Sequence, residues 1–235
     1  VSPQLCVQSV FAVYVVALLG MLTGFQTKLS TVVAFGMHLV LTSTAVATTY
    51  GVDQFARIAL FYCVWAPTGA ALSVDSRNQS KRTDSSVSAR IAIRALQLHL
   101  ALMYLATGLH KASGPQWWDG EAIWRAITLP QLATVDLTWL AAYPQILIMI
   151  GWATLAIEIG YIAFAWHSRT RLLTVGSIIS MHIGIALVLG LVSFALMMIV
   201  LNIAAFLIPA EPSSIGSPQH SDPSRAPRLA LSGLR

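Results

Sequence analysis

Residues 5–22 carry no charged side chain, and apolar windows of similar length recur along the chain as far as Pro209. A helix of about 20 apolar residues crosses the roughly 30 Å of hydrocarbon in a bilayer. A backbone in hydrocarbon must satisfy its own N–H and C=O groups. The chain is therefore expected to fold as an all-α, polytopic membrane bundle. Its composition agrees: 56% of residues are hydrophobic and 10% are charged, with a mean hydropathy of +0.71, far from soluble domains. The net charge of +5 comes mostly from connections and the tail, so it speaks to topology and excludes a nucleic-acid footprint. Cys6 and Cys63 both lie in apolar runs, and no disulfide or metal pattern is present.

About seven spans can be marked: residues 5–22, 31–49, 58–74, 89–110, 145–166, and two from the long run 172–209, divided near Gly190. Pro67 inside the third span predicts a kink. Lysines and arginines set the orientation. Lys28, the group Arg77/Lys81/Arg82 with Arg90 and Arg94, the pair Arg169/Arg171, and the tail arginines Arg225, Arg228 and Arg235 all fall on one side when seven helices are counted. That side is predicted to be cytoplasmic, which puts the Lys111–Leu140 connection outside. Residues 210–235, rich in Ser and Pro, are predicted to be a disordered cytoplasmic tail after a membrane domain spanning 1–209. The same count leaves the N-terminus outside, and the chain begins with Val1, which reads either as an alternative start codon or, the favoured expectation, as a fragment lacking an upstream helix.

Polar residues at membrane depth ask for a partner or a purpose. In the fourth span Arg90, Gln97, Tyr104 and Lys111 recur every seven residues, so they form one stripe along a helix. The stripe either packs inward through interhelical hydrogen bonds or lines a cavity that ends at Lys111. Lys111 itself, at the predicted mouth of its helix, is either an interfacial anchor or a base in apolar surroundings. His99 and His110 share another face, and His38 reads as a hydrogen-bonded packing residue. Glu158 and His182 fall at similar depths on the fifth and sixth spans, which suits an ion pair, a proton relay or a structural hydrogen bond. After Lys111 comes Gly114-Pro-Gln-Trp117-Trp118-Asp119-Gly120, then an amphipathic stretch with Trp124. These indoles suit a headgroup boundary and are also placed to fold over the helix end.

Gln97-x6-Tyr104-x3-Gly108-x2-Lys111 followed by Trp118-x-Gly120 resembles the signature of the horizontally transferred transmembrane domain family. That family includes vitamin K-dependent γ-carboxylase and bacterial relatives of the sporulation-delaying protein B type. Pro67-x3-Ala71-Leu-Ser-Val-Asp75, Glu158, Met181-His182-Ile-Gly184 and Gly190-x2-Ser193-Phe194 resemble further elements of it. Where the carboxylase carries a histidine ahead of the Ser-Val-Asp helix, this chain reads Gly51-Val-Asp-Gln54. The resemblance implies a membrane enzyme working on the non-cytoplasmic side, with Lys111 as the base that deprotonates reduced vitamin K or another quinol. It implies supporting roles for Tyr104, His110, Glu158 and His182, and a cofactor-facing role for Trp117, Trp118 and Trp124. Two other functions remain open: a non-catalytic accessory protein for maturing an exported peptide, and a small proton-coupled transporter using Glu158 and His182. Membrane lipids are the expected surroundings in each case.

Overall fold

The computed structural model describes residues 2–44, 48–70, 73–77 and 87–208. The tail, for which disorder is expected, and most of the 75–88 connection, expected to be cytoplasmic, lie outside the described residues. All regular structure among the described residues is helical: α1 (Pro3–Thr23), α2 (Thr27–Thr44), α3 (Gly51–Trp65), α4 (Val74–Arg77), α5 (Val87–Ala112), α6 (Glu121–Thr128), α7 (Pro144–Phe164), α8 (Ser168–Leu189) and α9 (Val192–Phe206). Seven of these match the predicted spans. Among the described residues α1, α5, α7 and α8 are long and apolar enough to cross a membrane. The others are shorter, with 18 residues in α2 and 15 in each of α3 and α9.

Local chemistry sets these boundaries. Ser2 caps α1 by accepting from the Leu5 N–H at 3.3 Å. The helix ends at Gly24, whose φ of 71° is left-handed, and Phe25 N–H reaches back to the Gly20 carbonyl at 2.9 Å. The third span is corrected: α3 does not kink at Pro67 but stops at Trp65, several residues short of the expected end. Proline disfavours helical geometry in the residue before it, and Ala66 is accordingly extended, with ψ at 152°. The run from 172 divides as expected at Gly190, where φ is 67°.

The start of α2 has a remote cap. Asp75 accepts from the Gln26 N–H at 3.0 Å, and from the Thr27 N–H and hydroxyl at 2.7 Å each. The Thr27 N–H and hydroxyl, with help from Gln26, hold the Asp75 carboxyl below the usual carboxylate range. The Ser-Val-Asp segment thus ties α4 to the α1–α2 turn. Within this N-terminal group His38 accepts or donates at both ring nitrogens, to the Tyr14 hydroxyl at 3.2 Å and the Asp53 carbonyl at 2.9 Å. It is a hydrogen-bonded packing residue.

Helices α5, α7, α8 and α9 form the main bundle, with α3 against α9 and α5. Its core holds Leu100, Ala101, Tyr104, Tyr161, Val175, Ile178, Met198 and Phe206. Gly108 lets α5 and α7 touch: a Cβ there would lie 2.8 Å from Ile159 Cγ1 and 3.1 Å from Glu158 Cβ. The connection between α5 and α7 folds back as a lid, held at both ends. Trp118 donates its indole N–H to the Ala112 carbonyl at 2.7 Å, and Trp152 donates to the Trp118 carbonyl at 3.0 Å. Further on, Thr134 donates its hydroxyl to the Leu187 carbonyl at 2.7 Å, and its N–H to that of Val188 at 3.1 Å.

Candidate functional site

The seven-residue stripe of α5 points into the bundle. Gln97 donates to the Ala205 carbonyl of α9 and accepts from Arg94 at 3.0 Å. One repeat further, Tyr104 is 2% exposed and hydrogen-bonded to the His182 ring at 3.0 Å. At the next repeat Lys111 forms an ion pair with Glu158, with the two side chains 26% and 4% exposed. Thr107, one turn back on α5, donates to the other Glu158 oxygen at 3.3 Å. A helical side chain leans toward its own N-terminus, so Lys111 reaches down α5 to meet Glu158 beside Gly108.

The lysine lies deeper than its position in the sequence predicts. Counting 14 residues from Pro144, Glu158 sits about 21 Å along α7 from the lid-side end and about 9 Å from Phe164. α5 therefore stops well short of the lid-side end of α7, and the lid fills the space above it. Gly151 makes room for this, since a Cβ there would lie 2.5 Å from the Trp117 carbonyl. Gly120, at a φ of 84°, turns the lid back beside Ile148. Lys111 is thus a charge inside the membrane-spanning bundle, where it needs its carboxylate partner.

Below the ion pair runs a hydrogen-bonded chain whose direction can be assigned. Asn202 of α9 faces the Met198 carbonyl at 2.8 Å, and a carbonyl only accepts, so the amide nitrogen must be on that side. The same nitrogen donates to the Tyr104 oxygen at 3.0 Å, while Asn202 Oδ1 accepts from the Tyr161 hydroxyl at 2.6 Å. The Tyr104 proton is then free to go to His182 Nε2. The neutral imidazole consequently carries its proton on Nδ1. That atom is buried and has no hydrogen-bond partner among the described residues.

A cavity of about 620 Å³ brings these groups together. Tyr104, Thr107, Lys111, Glu158 and His182 line it on one side, with Trp117 above. The Lys111 ammonium lies 5.0 Å from the centre of the Trp117 ring. The remaining wall is mostly apolar, including Ile123, Ile127, Leu140, Ile185 and Phe194. Glu158 and His182 share this cavity but bind different partners, Lys111 and Tyr104.

Other residues singled out from sequence are placed elsewhere. His110 is exposed, and its carbonyl accepts from Ser113 at 2.7 Å. Trp118 is half exposed, packs edge-on to Trp152 with ring centres 6.3 Å apart, and caps α5. Trp124 packs with the Ile127, Leu140 and Leu147 cluster, which joins the lid to α7. None of the three is among the residues lining the cavity. Asn202, fully buried, and Thr107 were not singled out from sequence. An amide alone in the apolar run of α9 was a usable signal, because such a group at membrane depth must find partners.

Comparisons with curated proteins and with solved structures each find no match. A family model, the HTTM domain, matches residues 1–209, which is most of the chain and contains every residue of the cavity. On that match the chain belongs to the HTTM domain family.

Proposed function

We propose that this protein is a membrane enzyme in which Lys111 and Glu158 act together as a proton-transfer pair on a lipid-soluble, hydroxyl-bearing ligand, a reduced quinone by family resemblance. The observation that carries this reading is the ion pair on the wall of a large apolar cavity. A structural ion pair needs no such space beside it.

The residues suit a ring with polar oxygens. The apolar wall and Trp117 offer surface for the ring, while Lys111 and Glu158 are confined to one side. A reduced quinone supplies an acidic aromatic hydroxyl. Glu158 can take a proton from the ammonium, which leaves an amine and a carboxylic acid with no net charge. Lys111 Nζ then accepts the proton of an O–H group brought to it and returns to the ammonium form. The hydroxyl proton ends on the pair. The Tyr161–Asn202–Tyr104 chain behind the pair holds the His182 imidazole in one tautomer. By the distribution of basic connections, we place the lid that roofs this cavity on the non-cytoplasmic side and the C-terminus in the cytoplasm.

An anaerobic titration tests the reading. Reduced menadione is added to the purified protein in nanodiscs while tryptophan fluorescence and the absorbance of the deprotonated quinol are followed. Wild type is expected to show saturable quenching and the deprotonated spectrum. Lys111→Ala should retain quenching and lose the spectral change. Quenching that does not saturate, or deprotonation unchanged in Lys111→Ala, overturns the proposal.

A further inference from the structure

The wall of the cavity has a second side. Between α7 and α8 an open groove of about 850 Å³ runs along the outer face of the bundle. Ile150, Thr154 and Met181 border both this groove and the inner cavity. Leu172 and Leu173, 72% and 75% exposed, flank the groove at the opposite end and turn toward the surroundings. Its floor is open: a Cβ built on Gly176 would meet nothing within 4 Å.

Arg169 closes that end of the groove, on the first turn of α8. Among the described residues the ion pairs are Lys111–Glu158 and Arg125–Glu121, so no carboxylate there engages Arg169. Its neighbour Arg171 is occupied, donating to the Ala165 and Trp166 carbonyls at 3.3 and 3.2 Å. The α7–α8 connection also carries His167 and no acidic residue. From Arg169 to Met181 is twelve residues, about 18 Å of helix. One leaflet of a bilayer is roughly half of 30 Å thick in its hydrocarbon part. A guanidinium at headgroup level, followed by one leaflet's depth of apolar groove, has the charge and length of a single phospholipid.

We infer that the α7–α8 groove seats one anionic phospholipid of the leaflet on the Arg169 side. Its phosphate rests on the Arg169 guanidinium, whose planar fork suits two phosphate oxygens. One acyl chain lies over Gly176 and ends against Thr154 and Met181, covering the partition to the Lys111 cavity. An anionic headgroup is favoured because a zwitterionic one brings its own cation to a connection that is already basic. The seat does not depend on which chemistry takes place inside.

Native mass spectrometry of the full chain tests this. Delipidated protein is incubated with equal amounts of phosphatidylglycerol and phosphatidylcholine, and the retained adducts are counted. One phosphatidylglycerol should be retained in preference. Arg169→Gln should lower its retention about fivefold and remove the preference. Gly176→Leu, whose Cβ meets nothing within 4 Å and whose side chain extends into the groove, should remove retention of both lipids. Arg125→Gln, in the lid, should behave as wild type. Circular dichroism checks that each variant is folded, and Ala153→Leu fills the groove from α7 if Gly176→Leu is not. Equal retention of the two lipids by wild type, or wild-type retention in the folded filled-groove variant, overturns the proposal. So does a dimer that disappears on filling the groove, which would give this face to a second copy of the chain.

Discussion

Cutting the Lys111–Glu158 pair from its two ends should have unequal consequences. Lys111→Met leaves a carboxylate whose side chain is 4% exposed, with the Thr107 hydroxyl at 3.3 Å as its remaining partner. Breaking a buried pair in this way costs about 3–5 kcal/mol, because the surviving charge is left uncompensated. Glu158→Gln leaves an ammonium that is 26% exposed, can still donate to the amide oxygen, and lies 5.0 Å from the centre of the Trp117 ring. That loss should be about 1–2 kcal/mol, the worth of weakening one charged hydrogen bond. The double variant Lys111→Met/Glu158→Leu removes both charges and should cost less than Lys111→Met alone. Thermal unfolding in detergent reads the difference. At about 2–4 °C per kcal/mol for a chain of this size, Lys111→Met should fall on the order of 10 °C, and the double variant should recover much of it. If Lys111→Met is no worse than Glu158→Gln, or if the double variant is no more stable than Lys111→Met, the pair is not a buried unit and the depth assigned to Lys111 is wrong.

Other outcomes can be checked separately. Asn202→Leu removes the group joining Tyr104 to Tyr161, leaving buried hydroxyls short of partners. It should lower stability by about 1–3 kcal/mol for each hydroxyl left unpaired, read by thermal unfolding. Gly108→Ala should cost about 1–3 kcal/mol by forcing a Cβ against Ile159, and a crosslink between α5 and α7 should form less readily. Asp75 has a lowered folded-state pKa, so its capping contribution is present above the unfolded carboxylate range and is lost as pH falls through the folded value. An acid titration of stability should show this component in wild type and lack it in Asp75→Asn. Single cysteines at Gln79 and Gln116, in a background without Cys6 and Cys63, should label from opposite sides of the membrane.

The sequence made the inward stripe of α5 readable because a seven-residue repeat drifts only about 20° along a helix. Gln97, Tyr104 and Lys111 therefore had to share a direction, whatever they faced. The break at Gly190 was readable as well, since the run from 172 was too long for one crossing. The offset between neighbouring helices was not. Nothing in α5 alone says that it ends beside the middle of α7, so Lys111 looked like a residue at the membrane surface. Its pairing with Glu158 rests on Gly108, whose missing side chain permits the close approach. Trp118 was similarly ambiguous. An indole after a helix end suits a headgroup boundary, a ligand or a cap, and only the position of the Ala112 carbonyl distinguishes the cap. The Asp75 cap joins residues 48 apart, beyond the reach of local capping patterns.

Gly151 and Glu158 stand seven residues apart on α7 and so point in nearly the same direction. The first receives the lid at the Trp117 carbonyl, and the second holds the end of α5 through Lys111. A single rigid rod therefore carries both contacts, as a camshaft carries two lobes set at one angle. A rotation of α7 about its axis that released Trp117 would also swing Glu158 away from the ammonium, so the roof and the ion pair are geometrically linked.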